Sequence, residues 1–140
     1  MSTIPTDIYE RVHEFAVALA NTAQAEDDAL HAALCLQLRA YYDEQASLGR
    51  SHPFLTEALA DHTDDPAKAA RLYELALDQA RAVPDEPTHT KMISLAERLL
   101  ELGQSEQAEP FLTDGRAEAV RRHDAIWVGE SDSALQRLTT

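Results

Sequence analysis

The sequence predicts an all-α protein of about seven helices, stacked as antiparallel hairpins, and three observations predict it. Ala, Leu and Glu, which enter helices at little cost, are the commonest residues of the chain, while only 4 of its 140 residues are glycine. No segment alternates apolar and polar residues as a half-buried strand does. Start and stop signals cut the chain into pieces of helical length, and key apolar positions recur every 40 residues.

Each helix has its own signals. Asp7 is read as the cap of the first, with Glu10 in capping-box register, and Tyr9, Val12, Phe15, Ala16 and Leu19 follow at amphipathic spacing. This helix fades near Asn21-Thr22. The second opens on Glu26-Asp27-Asp28, acids suited to the positive end of a helix dipole, and runs to Ser47-Leu48-Gly49. Ser51 and Pro53 open a short third helix, which stops before Thr63-Asp64-Asp65-Pro66. There Asp65 caps the fourth, and Pro66 occupies its first turn, where a missing N–H is harmless. The fourth ends at Val83, because Pro84-Asp85-Glu86-Pro87 cannot continue it. A fifth is expected from Thr88 to Leu102, stopped by Gly103. The sixth runs from Ser105 to Arg122, with Pro110 and Gly115 as expected kinks. The last, Asp124 to Leu138, carries Trp127, the only tryptophan. No linker or low-complexity tract interrupts residues 1–140, so a single domain is expected.

Charge narrows the function classes. The 25 acidic and 12 basic residues give a net charge of −13. Nucleic-acid binders draw most of their affinity from neutralising phosphates with basic groups, and anionic membrane surfaces select the same charge, so neither is an expected partner. The lone cysteine, Cys35, allows no intramolecular disulfide. The N-terminus lacks a basic segment followed by an apolar run, and no stretch is apolar for long enough to span a bilayer. The expected location is the cytoplasm.

The 40-residue recurrence carries the most information. Phe15, Leu55, Leu95 and Leu135 fall in one register, followed by Ala16, Thr56 and Ala96, then by Leu19, Leu59 and Leu99. In the alternate helices the order recurs as Ala29 and Ala33, Ala69 and Tyr73, then Ala108 and Leu112. A small residue beside a large one lets two helices approach closely. The best copy reads Met92-x-x-Leu95-Ala96-x-x-Leu99, followed by Gly103, Ala108 and Leu112. This pattern resembles the tetratricopeptide repeat, over roughly residues 7 to 123. The resemblance implies a superhelix of stacked hairpins, closed by a C-terminal capping helix. The spacing exceeds the usual period of about 34, and Leu or Ala fills most of the aromatic positions. A HEAT-like repeat and an irregular α-α bundle are the alternatives.

Signatures of chemistry are absent. His13, His31, His52, His62, His89 and His123 form no paired ligand motif, and His31 with Cys35, one turn apart, is read as partly buried core. No nucleophile elbow or phosphate-cradling glycine loop occurs. The expectation is therefore no catalytic residue, no metal and no cofactor. Tyr41, Tyr42 and Trp127 are read as core or capping residues before partner anchors.

In the resembled family the first helix of each hairpin lines a concave groove. Residues two and six after the key Phe or Leu turn away from the packing face: Val17 and Asn21, Glu57 and Asp61, Glu97 and Glu101. Four of these six are acids. The family's carboxylate-binding clamp needs Lys or Arg there, so acidic peptide ends are not expected ligands. The expected function is a protein–protein interaction module, monomer or homodimer, that binds a basic partner through these residues. A toxin-neutralising bacterial immunity protein is the first specific role, and a secretion chaperone or a small-molecule-binding or enzymatic helical domain the alternatives.

Overall fold

A computed structural model describes residues 4–138. Among these residues there are α-helices and no strand: α1 (Thr6–Gln24), α2 (Asp28–Ser47), α3 (Pro53–Asp61), α4 (Pro66–Arg81), α5 (His89–Glu101), α6 (Ser105–Arg121) and α7 (Ala125–Leu138). The chain is all-α, and consecutive helices pack on one another as hairpins.

One helix-ending device recurs four times. After α1, α2, α5 and α6 the chain enters a left-handed residue, in order Glu26, Gly49, Gly103 and His123. The next N–H then reaches back to a carbonyl of the last turn: Asp27 to Thr22, Arg50 to Gln45, Gln104 to Leu99 and Asp124 to Ala119. This is the Schellman closure, which satisfies carbonyls that the helix leaves without partners. Gly103, at φ +74°, adopts its conformation without the Cβ penalty that Glu26 and His123 carry. Asp27 then caps α2 by accepting from Leu30 N, and Asp65 caps α4 by accepting from Lys68 N. With so few residues between helices, each must reverse direction onto its predecessor.

The start of α1 differs from expectation. Its cap position is Pro5, which offers no side-chain acceptor, and Asp7 lies inside the first turn. There Asp7 takes a bidentate ion pair from Arg50, at 2.7 and 2.9 Å, tying the start of α1 to the end of α2. α6 is continuous through Pro110 and Gly115. Gly115 serves close approach: a Cβ built there would stand 2.8 Å from Ile93 Cγ1.

The 40-residue register is visible in the packing. Phe15, Leu55 and Leu95 are buried, as are Leu19, Leu59 and Leu99, while Leu135 is half-buried. Full burial of each such side chain stabilises by about 1.5–3 kcal/mol. The alternate helices are less uniform. Ala69, Tyr73, Ala108 and Leu112 are buried, but Ala29 is exposed and Ala33 only half-buried, so the first hairpin is the most open. One apolar cluster joins α1, α2 and α3, a second joins α3 to α7, and Leu72 packs against both. No helix among the described residues is long and apolar enough to cross a membrane.

Candidate functional site

The odd-numbered helices form one layer. α1 packs on α3 and α5 on α7, and side-chain hydrogen bonds join α3 to α5. Each of α2, α4 and α6 packs on the odd-numbered helices that flank it in sequence. The six residues expected at the groove therefore lie on three helices of one layer, but in different surroundings.

Glu57 is turned inward. Its carboxylate accepts from Thr90 Oγ1 at 2.7 Å and from Lys91 Nζ at 3.1 Å. Lys91 is fully buried, and its ammonium also donates to Glu86 Oε1 at 3.2 Å and to the Pro87 carbonyl at 2.7 Å. A buried ammonium is tolerable only when acceptors surround it, and Glu57 is one of three here. Glu57 thus stitches α3 to α5.

Asp61, one turn further along α3, stays open to solvent on one side and accepts from the Tyr73 hydroxyl at 2.5 Å on the other. Burial of the carboxyl pushes its pKa up to about 6, although the Tyr73 hydrogen bond opposes the shift. It stands on the rim of a cavity of about 230 Å³, between α1, α2 and α3, whose walls include Val12, Phe15, Leu38 and Phe54. Val17 and Asn21 are exposed on α1 and lie outside that lining.

Glu97 faces α7, where its carboxyl comes within hydrogen-bonding reach of Glu130. Burial, and then the Glu130 carboxyl, push Glu97 up to about 7, while Arg137 and Arg98 pull weakly the other way. Two carboxyls in contact share a proton more readily than they carry two charges. Glu101 is exposed and takes both its contacts, at 3.0 Å, from Arg98 on its own helix. Asp61, Glu97, Glu101 and Glu130 thus form an acidic surface over α3, α5 and α7. Glu130 escapes the 40-residue register, because it is set by the packing of α7 on α5.

This arrangement gives a stability prediction. A carboxyl whose pKa rises on folding binds more protons when folded than when unfolded, between its ordinary pKa of 4.5 and about 7. Its contribution to stability is therefore lost as pH rises through that window. Glu97→Gln is expected to stabilise by about 1 kcal/mol near pH 8 and to be close to neutral near pH 5. Thermal melts of both proteins at the two pH values check this, and a variant less stable than the parent near pH 8 would contradict the pairing.

A second polar cluster was not legible in the sequence. Glu118 of α6 reaches the start of α5, where its carboxylate accepts from Thr88 Oγ1 (2.5 Å), Thr88 N (3.0 Å) and His89 N (2.6 Å). Burial alone would raise its pKa, but these donors hold it below the usual range. Buried His89 bridges Glu118, at 3.3 Å, to Asp124, at 2.9 Å, and Trp127 meets its ring edge-on. The His89 hydrogen bond holds the Asp124 carboxyl below its ordinary pKa, and Asp124 also accepts from Trp127 N. Together these groups cap α5 and α7. No serine, threonine or cysteine stands among them as a nucleophile beyond Thr88, whose hydroxyl donates to Glu118.

His31, Cys35, His62 and Asp64 line one cleft between α2 and the α3–α4 turn. His31 Nδ1 is engaged with the Thr22 hydroxyl at 3.0 Å, and burial raises the Cys35 thiol above its usual pKa. Among the described residues no three His, Cys, Asp or Glu side chains are disposed to hold a metal ion. Tyr41 and Tyr42 are half-buried, with Tyr41 tilted against Phe15. Comparison with protein-family models, curated proteins and solved structures finds no match to this chain.

Proposed function

We propose that this chain is a protein-binding module, of tetratricopeptide-like construction, whose acidic surface over α3, α5 and α7 holds a basic segment of a protein partner. The observation that carries the reading is the gathering of carboxyls on one layer, Asp61 on α3, Glu97 and Glu101 on α5 and Glu130 on α7 within hydrogen-bonding reach of Glu97, and it accords with the raised pKa values of Asp61 and Glu97. Both are crowded and incompletely neutralised within the chain. A Lys or Arg side chain brought between Glu97 and Glu130 would replace the shared proton and remove the repulsion. The exposed edge of Asp61 and the apolar cavity beside it offer a second anchor point for the same segment. The net charge of −13 steers a basic partner toward the molecule from a distance. A cytoplasmic immunity protein facing a basic toxin, or a secretion chaperone, is the kind of role such a surface serves.

The test is charge reversal against a Lys- and Arg-rich helical peptide. Lysine at Asp61, Glu97 and Glu101 is expected to weaken binding at least tenfold. Lysine at the exposed Glu74 and Asp78 of α4, two reversals against three, is expected to leave affinity within about twofold. Circular dichroism verifies helicity in both. Equal losses would mean that net charge alone attracts the peptide, and no loss from the first set would mean that it binds elsewhere. Either result refutes the acidic-surface reading.

A further inference from the structure

A second surface carries the opposite sign. Seven of the 12 basic residues of this acidic chain pair with carboxylates away from α2 and the start of α4: Arg11 with Glu14, Arg50 with Asp7, Arg81 with Asp78, Lys91 with Glu57 and Glu86, Arg98 with Glu101, Arg116 with Asp132 and Arg122 with Glu118. Among the described residues Lys68, Arg71 and Arg121 have no carboxylate within ion-pair distance. Arg121 stands apart on α6. Lys68 and Arg71 are three residues apart on α4, on one face, and both line the same cleft. Arg39 of α2 closes that cleft from the other side, shared with Asp43 at 3.3 Å.

The cleft, of about 600 Å³, is not merely polar. Leu72 and Leu75 form part of its wall, and Leu75 is exposed. Through Arg39 and Thr63 it continues into a neighbouring cleft of about 620 Å³, where Leu36 is 72% exposed; Asp28 and Asp64 line that second cleft, so the cationic part is the Lys68, Arg71 and Arg39 end. Unpaired cations beside exposed leucines, on a molecule otherwise saturated with acid, match a ligand with carboxylates next to apolar side chains. We propose that the cleft between α2 and α4 docks an acidic amphipathic helical segment of a protein, with its carboxylates on Lys68, Arg71 and Arg39 and its apolar face on Leu36 and Leu75. Lying on α2 and α4, it leaves Glu97 and Glu101 of α5 and Glu130 of α7 uncovered, so one molecule can hold two partners of opposite charge at once.

The probe is a labelled peptide with leucines at helical a/d spacing and Glu at the remaining positions, compared by fluorescence anisotropy with copies carrying Gln or Lys for Glu. The Glu peptide is expected to bind at least tenfold more tightly than the Gln peptide, to weaken as salt rises, and to lose at least tenfold in K68E/R71E. Those sites are exposed, so the fold is expected to tolerate the change, and circular dichroism verifies it. Glu97→Lys serves as the independent control and is expected to leave Glu-peptide binding undiminished. The proposal is overturned by no binding of the Glu peptide, by equal binding of the Glu and Gln peptides, or by undiminished binding to a folded K68E/R71E. A Lys peptide that alone binds, and alone responds to Glu97→Lys, would support the acidic surface and overturn this cleft.

Discussion

Lys91→Ala is expected to destabilise the protein by about 3–5 kcal/mol, the largest loss from any single charged side chain. The ammonium is fully buried and donates to Glu57, Glu86 and the Pro87 carbonyl. Its removal leaves two poorly solvated carboxylates facing each other, with side chains 17% and 8% exposed, and a carbonyl without its donor. The loss is therefore mainly the desolvation of what remains, not the attraction of what was removed. Neutralising the survivors in Lys91→Met/Glu57→Gln/Glu86→Gln is expected to recover much of the stability, because no buried charge is then left unmatched. Denaturant titration of both variants reads the two values. A single variant within about 1 kcal/mol of the parent would show that the ammonium is dispensable.

Leu95→Ala is expected to destabilise by about 2–5 kcal/mol. Leu95 has no exposed surface and sits in the cluster that joins α3 to α7, beside Ile93, Ala96, Leu99 and Leu112. Close packing of α6 on α5 around Gly115 leaves little freedom for the surroundings to collapse into the hole. Leu135, one register further on, is half-buried, so its truncation is expected to be milder, near about 1 kcal/mol. Denaturant midpoints at constant slope provide the comparison. Equal losses at Leu95 and Leu135 would mean that the 40-residue register does not track depth in the core.

The helices were legible because their boundaries are written in local chemistry. Asp65-Pro66, Gly103 and the Pro84–Pro87 run act through backbone constraints that need no tertiary context. The core positions followed from periodicity, and Phe15, Leu55, Leu95, Leu19, Leu59 and Leu99 are all buried. Asp7 was misread because a carboxylate near a helix start can cap it or pair with a distant cation, and Arg50 lies 43 residues away in sequence. The acidic surface was half legible. Helical geometry put Glu57, Asp61, Glu97 and Glu101 on one side, but the inward turn of Glu57 depends on Lys91, on another helix. Glu130 and the Glu118–His89–Asp124 cluster are contacts between helices remote in sequence, and no spacing rule reaches them.

If, as proposed, a basic partner takes the place of protons on the carboxyls of Asp61 and Glu97, its binding releases those protons. Near pH 6.5 Asp61 is mostly ionised and Glu97 mostly protonated, given pKa values of about 6 and about 7. A cation seated among them lowers both, so the complex holds fewer protons than its separate parts. Calorimetric titration of the Lys- and Arg-rich peptide, repeated in buffers of different ionisation enthalpy, counts the difference. Release of about one proton per complex is expected near pH 6.5, falling toward zero near pH 9, and largely abolished in Glu97→Gln. Binding with no proton release near pH 6.5, or with release unchanged in Glu97→Gln, would contradict the proposal.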